Sequence, residues 1–570
     1  MSPMFCINFY LHSCQIRALL VSFLGDYTMH TTNWAIKRVP EDIWRMVFGL
    51  CAEDVSREHD AILHPNYAPL LLCRICKTFR RYAISFPEIW VNIGVHPNET
   101  ASNMPTREVI SLFVQRAKRS PLKLCMYVDG QEEKFGRTKY RLNWKDTSLH
   151  VLRLVPQAKE LMVDAKTLNF AFDSQYAFPE KNGPPLPINN AIHLKHLVLI
   201  GSTKSDDGDS DDEDGGELAA TPWTPSGPRI WCADDKSKIH TLEIRGRVVF
   251  GNRISLFKSL RVPYHQLTNM KLGYKTSLAD LINILRATKC MVSFEVDGLI
   301  GDIPPNREVI ELPVVKHLAL RNVAFNIDLD NIDELDETRR TPSLSKFLQY
   351  LKTPSLESLR LEEDHNWNVV AFQKFIHNSA PCKIGHFSWG LEVGDEIERL
   401  TSLIALRHLK ILELLSTNYL EVMGVDQDER LSEGFHHELT IWSVNSKTRR
   451  FPPCPNLETI QVDFRHVIGT GGRWDETDSD TDYDSDSDPV PRCRNVHTPF
   501  ADMIQSRFAH GHLKTARILN ASGLSASGEQ LTDDASSELI RLFDLRASGL
   551  NIHLEALLPV ASESDSEGER

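Results

Sequence analysis

The sequence lacks any apolar run long enough to cross a membrane. The longer of two apolar stretches near the N terminus, residues 18–24, falls well short of the about 20 residues that a membrane-spanning helix needs. No basic region precedes these stretches, as a secretory signal requires. We therefore predict no membrane association. Residues 1–33 are expected to lie outside any domain, as a disordered extension or the product of a mispredicted start upstream of Met29.

An ordered set of cysteines is also absent. The 11 cysteines are odd in number and irregularly spaced, which is typical of reduced thiols and predicts a cytoplasmic or nuclear protein. Cys73 and Cys76 form a metal-like pair, but no second pair stands at zinc-finger spacing, and Cys76 lies on an apolar helical stripe. We expect buried structural cysteines, no metal site and no cofactor.

Catalytic signatures are missing from the chain. There is no phosphate-binding loop of the Walker type and no Gly-x-Ser-x-Gly nucleophile elbow. His436, His437 and Glu438 have the wrong order and spacing for a helical zinc-protease motif. These absences favour a protein that binds other proteins over an enzyme, and they leave no catalytic residue to nominate.

Positive charge is not concentrated in any segment, whereas negative charge is. The net charge of −13 arises from acidic stretches at 206–217, 475–488 and 563–570, and the rest of the chain is mildly basic. We predict no nucleic-acid binding, which needs a concentrated Lys/Arg face. Dense like charge with low hydrophobicity predicts disordered inserts at about 201–238 and 465–511, and a disordered tail at 558–570.

Two amphipathic segments near the N terminus carry the most specific pattern. In Val39–Cys51, Pro40 suits the first turn of a helix, and apolar residues recur with helical spacing. Pro69–Ile93 repeats the pattern over Leu72–Ala83, which predicts one helix that Pro87 ends. Periodicity alone also fits an ordinary helical hairpin in a core. The apolar surface of the pair nevertheless exceeds what two such helices bury against each other.

The order of residues in these segments resembles the F-box, in its fungal F-box-like form. A hydrophobic-Pro pair, an Ile and a Val-Phe pair precede a Leu-x-x-Ile-Cys-Lys-x-Phe-Arg run, and Ala, Pro and Trp follow. Val39 and Phe79 stand where Leu and Trp are usual in the family, and a polar stretch at 53–64 separates the two halves. The matching positions are Val39, Pro40, Ile43, Val47, Phe48, Leu72, Ile75, Cys76, Lys77, Phe79, Arg80, Ala83, Pro87 and Trp90.

This resemblance implies that residues 34–95 form an F-box-like domain that docks on a Skp-family adaptor, which a cullin scaffold carries. Surplus apolar side chains, with Trp44, Phe48 and Trp90 among the candidates, would meet this partner or the rest of the chain. The residues expected to contact the adaptor are Val39, Pro40, Ile43, Trp44, Val47, Phe48, Leu71, Leu72, Ile75, Cys76 and Phe79.

A loose internal repeat predicts the architecture beyond a connecting region at 96–146. A hydrophobic-x-x-hydrophobic-x-hydrophobic unit recurs through 147–557 with helical spacing between copies, and its compact intervals of about 24–28 residues fall in the leucine-rich-repeat range. We predict an α/β fold, in which an irregular leucine-rich solenoid forms a horseshoe with parallel strands on the concave face and helices on the convex face. The copies begin at residues 158, 194, 239, 267, 291, 315, 356, 383, 409, 457, 513 and 550.

Strand alternation places one set of side chains on the open face of this sheet. As a set they form a candidate target-binding surface, although a solvated sheet face is the alternative for any one of them. We expect charge reversal at Lys271, Arg321 and Arg360 together to weaken target capture without unfolding the protein. The set comprises His196, Glu243, Arg245, Lys271, His317, Arg321, Arg360 and Glu362.

These features predict the substrate-recognition subunit of a Skp–cullin–F-box ubiquitin ligase, monomeric within the complex. The F-box-like domain would bind the adaptor, the repeats would bind an unidentified protein target, and the chain itself would catalyse nothing. The alternative is a structural interaction scaffold with the same repeats and no ligase. The ligase prediction rests on the resemblance of the short N-terminal motif, because a fold does not fix a function. Co-purification of a Skp-family adaptor and cullin would distinguish the two alternatives.

Overall fold

The computed structural model divides the chain into two compact units, residues 1–267 and 268–570. The predictions for residues 1–33, for the acidic stretches 206–217 and 475–488, and for the tail 558–570 lie outside the described residues. The described residues are 38–57, 63, 68–95, 107–126, 147–164, 191–200, 231–232, 238–245, 257, 260–273, 276–300, 308–321, 344–362, 367–391, 401–416, 439, 454–463, 499–519 and 533–554.

The first unit begins with a helical module. Helix α1 is Glu41–Arg57, α2 is Leu72–Ile75, α3 is Lys77–Ser85, and a 3-10 turn follows at Pro87–Trp90. The first predicted helix is confirmed, and the second ends before Pro87 as expected. The prediction of one helix over Leu72–Ala83 is wrong, because the chain is extended at Cys76 (φ −158°, ψ 169°). The Sγ atom of Cys76 accepts the Phe79 N–H at 3.4 Å and so caps α3.

Aromatic side chains hold the module together. The Phe48 ring lies 5.2 Å from that of Phe79 and 6.0 Å from that of Phe86, centroid to centroid. The buried Trp90 donates its indole N–H to the Ala83 carbonyl at 2.7 Å, which satisfies its polar atom. Because these rings fill the space between α1 and α3, the apolar side chains of Phe48 and Trp90 meet the rest of the chain, which is one of the two predicted alternatives.

In the described part of the first unit, five longer parallel strands follow, in the order β1–β2–β3–β4–β5. Asn92 of β1 lies inside the predicted F-box-like domain, and β2 lies inside the predicted connecting region. The parallel sheet therefore begins before residue 147, where the repeats were expected to start. The elements are β1 Asn92–Val95, α4 Arg107–Ala117, β2 Leu122–Met126, β3 Ala158–Asp164, β4 His196–Ile200 and β5 Thr241–Arg245, with 3-10 turns at Val155–Gln157 and Tyr264–Gln266 and a short bridge between Trp231–Cys232 and Leu260–Arg261.

Among the described residues of the second unit, nine longer strands, β6 to β14, run parallel, and each pairs with the next along the chain. All twelve predicted repeat copies, counted over both units, are strands, which confirms the strand predictions and the α/β class. The strands are β6 Asn269–Gly273, β7 Ser293–Asp297, β8 His317–Arg321, β9 Ser358–Glu362, β10 His386–Leu391, β11 Ile411–Ser416, β12 Thr459–Asp463, β13 Thr515–Leu519 and β14 Asn551–Leu554.

Helices connect several of these strands. Ser277 and Asn368 begin two of them, since their side-chain oxygens accept the N–H of Asp280 at 3.1 Å and of Ala371 at 2.8 Å. The helices are α5 Leu278–Ala287, α6 Leu344–Leu348, α7 Val369–Asn378, α8 Pro499–Ala509 and α9 Asp533–Ala547, and two short bridges pair Thr276–Ser277 with Leu299–Ile300 and Ile310–Glu311 with Leu351–Lys352.

The predicted limits of both acidic inserts are too wide. Helix α8 lies inside the predicted insert at 465–511, and the strand Trp231–Cys232 lies inside that at 201–238. In most strands of both units the apolar residues at the second and fourth positions face the core, as Leu318 and Leu320 do. In β2 the buried residues are the first, third and fifth. None of the helices in the described stretches combines the length and apolar character that a bilayer crossing needs.

Candidate functional site

Helix α1 has two different apolar faces. On one, Phe48 is 1% exposed and packs into the helical module. On the other, Ile43, Met46 and Leu50 are 44%, 63% and 53% exposed. These three follow the i, i+3, i+7 spacing of one helical face, and the half-buried Val47 lies among them. We call Ile43, Met46, Val47 and Leu50 the α1 stripe.

The orientation of α1 is fixed by polar contacts as well as by its aromatic core. Arg45 Nε lies 2.9 Å from Glu88 Oε1, and the Arg45 guanidinium stands 5.0 Å from the centre of the Phe86 ring. At the other end, Asn92 Nδ2 of β1 donates to the Ala52 carbonyl at 3.3 Å. Because three different elements hold the opposite face, the α1 stripe cannot turn inward without breaking these contacts.

The predicted adaptor-binding residues fall into three groups. Phe48, Leu72 and Phe79 are buried, so the prediction that a partner contacts them is wrong for the folded module. Met46 and Leu50 were not nominated, although Leu50 shares helical spacing with Ile43. Pro40, Ile43 and Leu71 are exposed, and Val39, Trp44, Val47, Ile75 and Cys76 are half-buried.

A second candidate surface is the open face of the sheet in the second unit. Lys271 Nζ on β6 lies 3.0 Å from Glu295 Oε1 on β7, and Arg321 Nη2 on β8 lies 2.8 Å from the same oxygen. Arg321 also approaches Asp297 Oδ1 at 3.4 Å and Glu362 Oε1 at 3.3 Å. Four neighbouring strands therefore share one ion-pair network.

The network continues through Arg360, whose guanidinium contacts Glu362 on the same strand. Burial raises the pKa of Asp297 above its ordinary value, although the Arg321 guanidinium opposes this. Glu295 and Asp297 were missed by sequence reasoning. The repeat pattern could have identified both. Glu295 is at an outward-facing position of the weak repeat copy at 291–296, and Asp297, the next outward-facing residue, directly follows this copy.

Beside this network lies a row of three polar side chains in contact, which we call the relay: Ser358, His386 and Glu413. Ser358 Oγ lies 3.5 Å from His386 Nδ1, and His386 Nε2 lies 3.1 Å from Glu413 Oε1. Burial raises the pKa of Glu413, but its contacts with His386 and Ser388 outweigh this and bring the pKa below its ordinary value. In the strands that carry these three residues, the backbone N–H groups bond to the neighbouring strand and not to the relay. The relay offers hydrogen-bonding groups to a partner.

The eight predicted face residues are divided between the units. His196, Glu243 and Arg245 belong to the first, where Arg245 Nε lies 2.8 Å from Glu243 Oε1. The other five belong to the second, where Lys271, Arg321, Arg360 and Glu362 join the network and His317 is exposed on the same face. Val198, which alternation also places on the open face, is buried at the strand centre.

Within the described stretches, no three His, Cys, Asp or Glu side chains are placed to hold a metal. Cys73 and Cys76 are half-buried, and the structure uses Cys76 as a helix cap. Burial raises the pKa of the Cys73 thiol, which disfavours the thiolate that metal binding needs. No protein-family model and no curated protein matches the chain.

Proposed function

We propose that the protein is the substrate-recognition subunit of a Skp–cullin–F-box ubiquitin ligase, and that the α1 stripe docks on the Skp-family adaptor. The observation that carries this proposal is the exposure of Ile43, Met46 and Leu50 on a helix whose opposite face is locked into a core. A row of large apolar side chains that is held facing outward is typical of a surface that binds a partner protein.

The choice of partner rests on the F-box-like order of residues in this module. Pro40 and Ile43 match the family pattern and are both exposed, next to the rest of the stripe. Leu71, immediately before α2, adds a further exposed apolar side chain from the second half of the motif. The adaptor would cover these residues and bring the cullin scaffold with it.

The open face of the second unit is the proposed target-binding surface. Its ion-pair network is half-buried, with side-chain exposures of 23% for Arg321 and 17% for Glu362, so a partner can desolvate it at little further cost. The network carries both signs of charge in a fixed pattern, which favours a target of complementary charge pattern. Catalysis by proximity follows, since the subunit holds the target near the ubiquitin-carrying enzyme and performs no chemistry itself.

The test is binding of purified Skp-family adaptor to variants of the full chain, measured by calorimetry. Ile43→Glu with Leu50→Glu places two charges without partners in the proposed interface, which costs at least several kcal/mol. A loss of about 3 kcal/mol already weakens binding by about two orders of magnitude. Val370→Glu is the matched control, because Val370 is a 74% exposed apolar residue on α7, outside the module.

We expect the double variant to lose adaptor binding at least a hundredfold while Val370→Glu binds like wild type and both keep their circular dichroism. If the wild-type protein does not bind the adaptor, the ligase proposal is wrong and the interaction scaffold is the alternative that stands. If the double variant binds the adaptor as tightly as wild type does, the adaptor uses another surface. Phe48→Asp is not a useful test, because it would unfold the module.

A further inference from the structure

A basic pocket of about 360 Å³ lies in the second unit, apart from the ion-pair network of the sheet face. Its lining is dominated by ammonium and imidazole groups, with one carboxylate. The basic residues that line it are Lys383, His408, Lys410, His512 and Lys514, all of them exposed.

The repeat register brings these groups together. The residue directly before each of the strands β10 to β13 lines the pocket, and these residues are Gly385, Lys410, Glu458 and Lys514. Their backbones form a ladder: the N–H of Lys410 donates to the Gly385 carbonyl, that of Glu458 to the Lys410 carbonyl, and that of Lys514 to the Glu458 carbonyl. Two residues earlier in each copy stand Lys383, His408, Asn456 and His512, which also line the pocket. The residues between these two positions face the core, being Ile384, Leu409, Leu457 and Leu513.

The ion pairs of the pocket leave an excess of positive charge. Glu458 lies 2.7 Å from Lys514 Nζ and 3.7 Å from Lys410 Nζ. The hydrogen bond and charge of Lys514 hold the pKa of Glu458 below its ordinary value, so it is ionised at neutral pH. One carboxylate faces three lysines here.

Gly385 opens the space between these cations. A Cβ atom added there would have the Glu357 carbonyl oxygen, at 4.0 Å, as its nearest neighbour, so nothing in the backbone forbids a larger residue. A large side chain at this position would extend from the same row as Lys410 and Lys514 and would occupy part of the pocket. The glycine therefore keeps the cavity free.

We propose that this pocket binds a small molecule that carries more than one phosphate group. Lysines bind phosphate as compact point charges, and three of them around one cavity suit a ligand that carries several negative charges. A ligand with several negative charges competes with Glu458 for Lys410 and Lys514, and a single carboxylate gains little by replacing another. The volume lies in the range of small-molecule sites. The proposal is independent of ligase function.

The probe is inorganic pyrophosphate, titrated calorimetrically into the full chain at constant ionic strength, with inorganic phosphate for comparison. We expect pyrophosphate to bind more tightly than phosphate. Lys410→Gln with Lys514→Gln should weaken pyrophosphate binding at least about tenfold, because two of three ammonium groups are lost. Gly385→Leu should weaken it similarly with every charge retained. Glu458→Gln should strengthen it, since the competing carboxylate is gone.

Lys316→Gln is the matched control. Lys316 has the same repeat position and pairs with Glu357 at 2.8 Å, but it does not line the pocket. Unchanged binding in this variant supports the site. Equal weakening by Lys316→Gln and by the double variant, or no gain from Glu458→Gln, would mean an adventitious ion only and would overturn the proposal. So would tighter binding of a doubly phosphorylated peptide than of pyrophosphate, since the ligand would then be a protein segment.

Discussion

Arg507 is buried in the second unit, on helix α8. Its Nε donates to the Leu439 carbonyl at 2.7 Å and its Nη1 to the Cys454 carbonyl at 3.1 Å. Burial lowers the pKa of the guanidinium below its ordinary value, but such a group stays charged at neutral pH. Arg507 thus joins α8 to two segments that are 53 and 68 residues distant in sequence.

Arg507→Met should lower the free energy of unfolding of the second unit by about 2–4 kcal/mol, because two buried carbonyls lose their donors. Urea denaturation measures this. Arg286→Met, at an exposed arginine on α5, should change the same quantity by less than about 0.5 kcal/mol. Equal effects of the two substitutions would contradict a structural role for Arg507.

Glu538 on α9 is a second buried charge, and it caps α8. Its two carboxylate oxygens accept the N–H groups of Phe500 at 3.1 Å and Ala501 at 2.9 Å. Burial raises the pKa of Glu538 to about 7, although these hydrogen bonds oppose the shift. In the unfolded chain the pKa of a glutamate is about 4.3.

Because the folded state holds this proton more tightly, the stability that Glu538 contributes is complete below about pH 4.3 and is lost as the pH rises through about 7. The free energy of unfolding of wild type should therefore fall, relative to that of Glu538→Gln, between pH 5 and pH 8. Denaturation of both proteins at several pH values checks this. A difference that is constant with pH would show that Glu538 keeps an ordinary pKa.

Neither buried charge could be predicted from the sequence. Arg507 and Glu538 lie in amphipathic helices where charged residues normally face solvent, and their burial depends on contacts with segments remote in sequence. Phe48 illustrates the opposite error. Its apolar character was evident, but periodicity cannot tell which of two apolar faces a helix buries, and only the rings of Phe79 and Phe86 decide this.

The roles of the two faces of helix α1 can be distinguished by mutation. Phe48→Ala should destabilise the helical module by about 3–5 kcal/mol, as expected for a buried phenylalanine. Ile43→Ala should change stability by less than about 0.5 kcal/mol, since its side chain is 44% exposed. Hydrogen exchange of α1 and α3 reports the module separately from the sheet. Similar effects of the two variants would mean that the α1 stripe is also packed.

The strands were the most predictable elements. The repeat requires only that the first, fourth and sixth residues of a copy be apolar, and each copy meets an equivalent neighbour, so pattern and packing agree. Strand β1 lay outside the recognised copies because it directly follows the F-box-like motif, and its four residues are all buried. The break at Cys76 was missed because periodicity continues across it.

The sheet-face network links four strands of the second unit, so charge reversal there affects stability as well as binding. Reversing the charges of Lys271, Arg321 and Arg360 would gather the new carboxylates beside Glu295, Asp297 and Glu362 on one half-buried surface. The triple variant should therefore be less stable, and not merely weaker in target capture. Raising the salt concentration should recover part of the loss, because ions screen the repulsion.

Thermal denaturation of this variant at 0.05 M and 0.5 M salt provides the measurement. Lys271→Gln is the control, since it removes one cation with 39% side-chain exposure and creates no new acid. It should melt within a few degrees of wild type and show little dependence on salt. A triple variant that melts like wild type at low salt would show that the network contributes nothing to the stability of the sheet.

We propose that the α1 stripe contacts a Skp-family adaptor. The most direct test of this contact replaces Met46, at the centre of the stripe, by a photo-crosslinking amino acid and analyses the purified complex with the adaptor by mass spectrometry. Ser111, exposed on α4, is the control position. A crosslink from residue 46 to the adaptor, and none from residue 111, is the predicted result. An adaptor that co-purifies but crosslinks equally at both positions, or at neither, would contradict the claim.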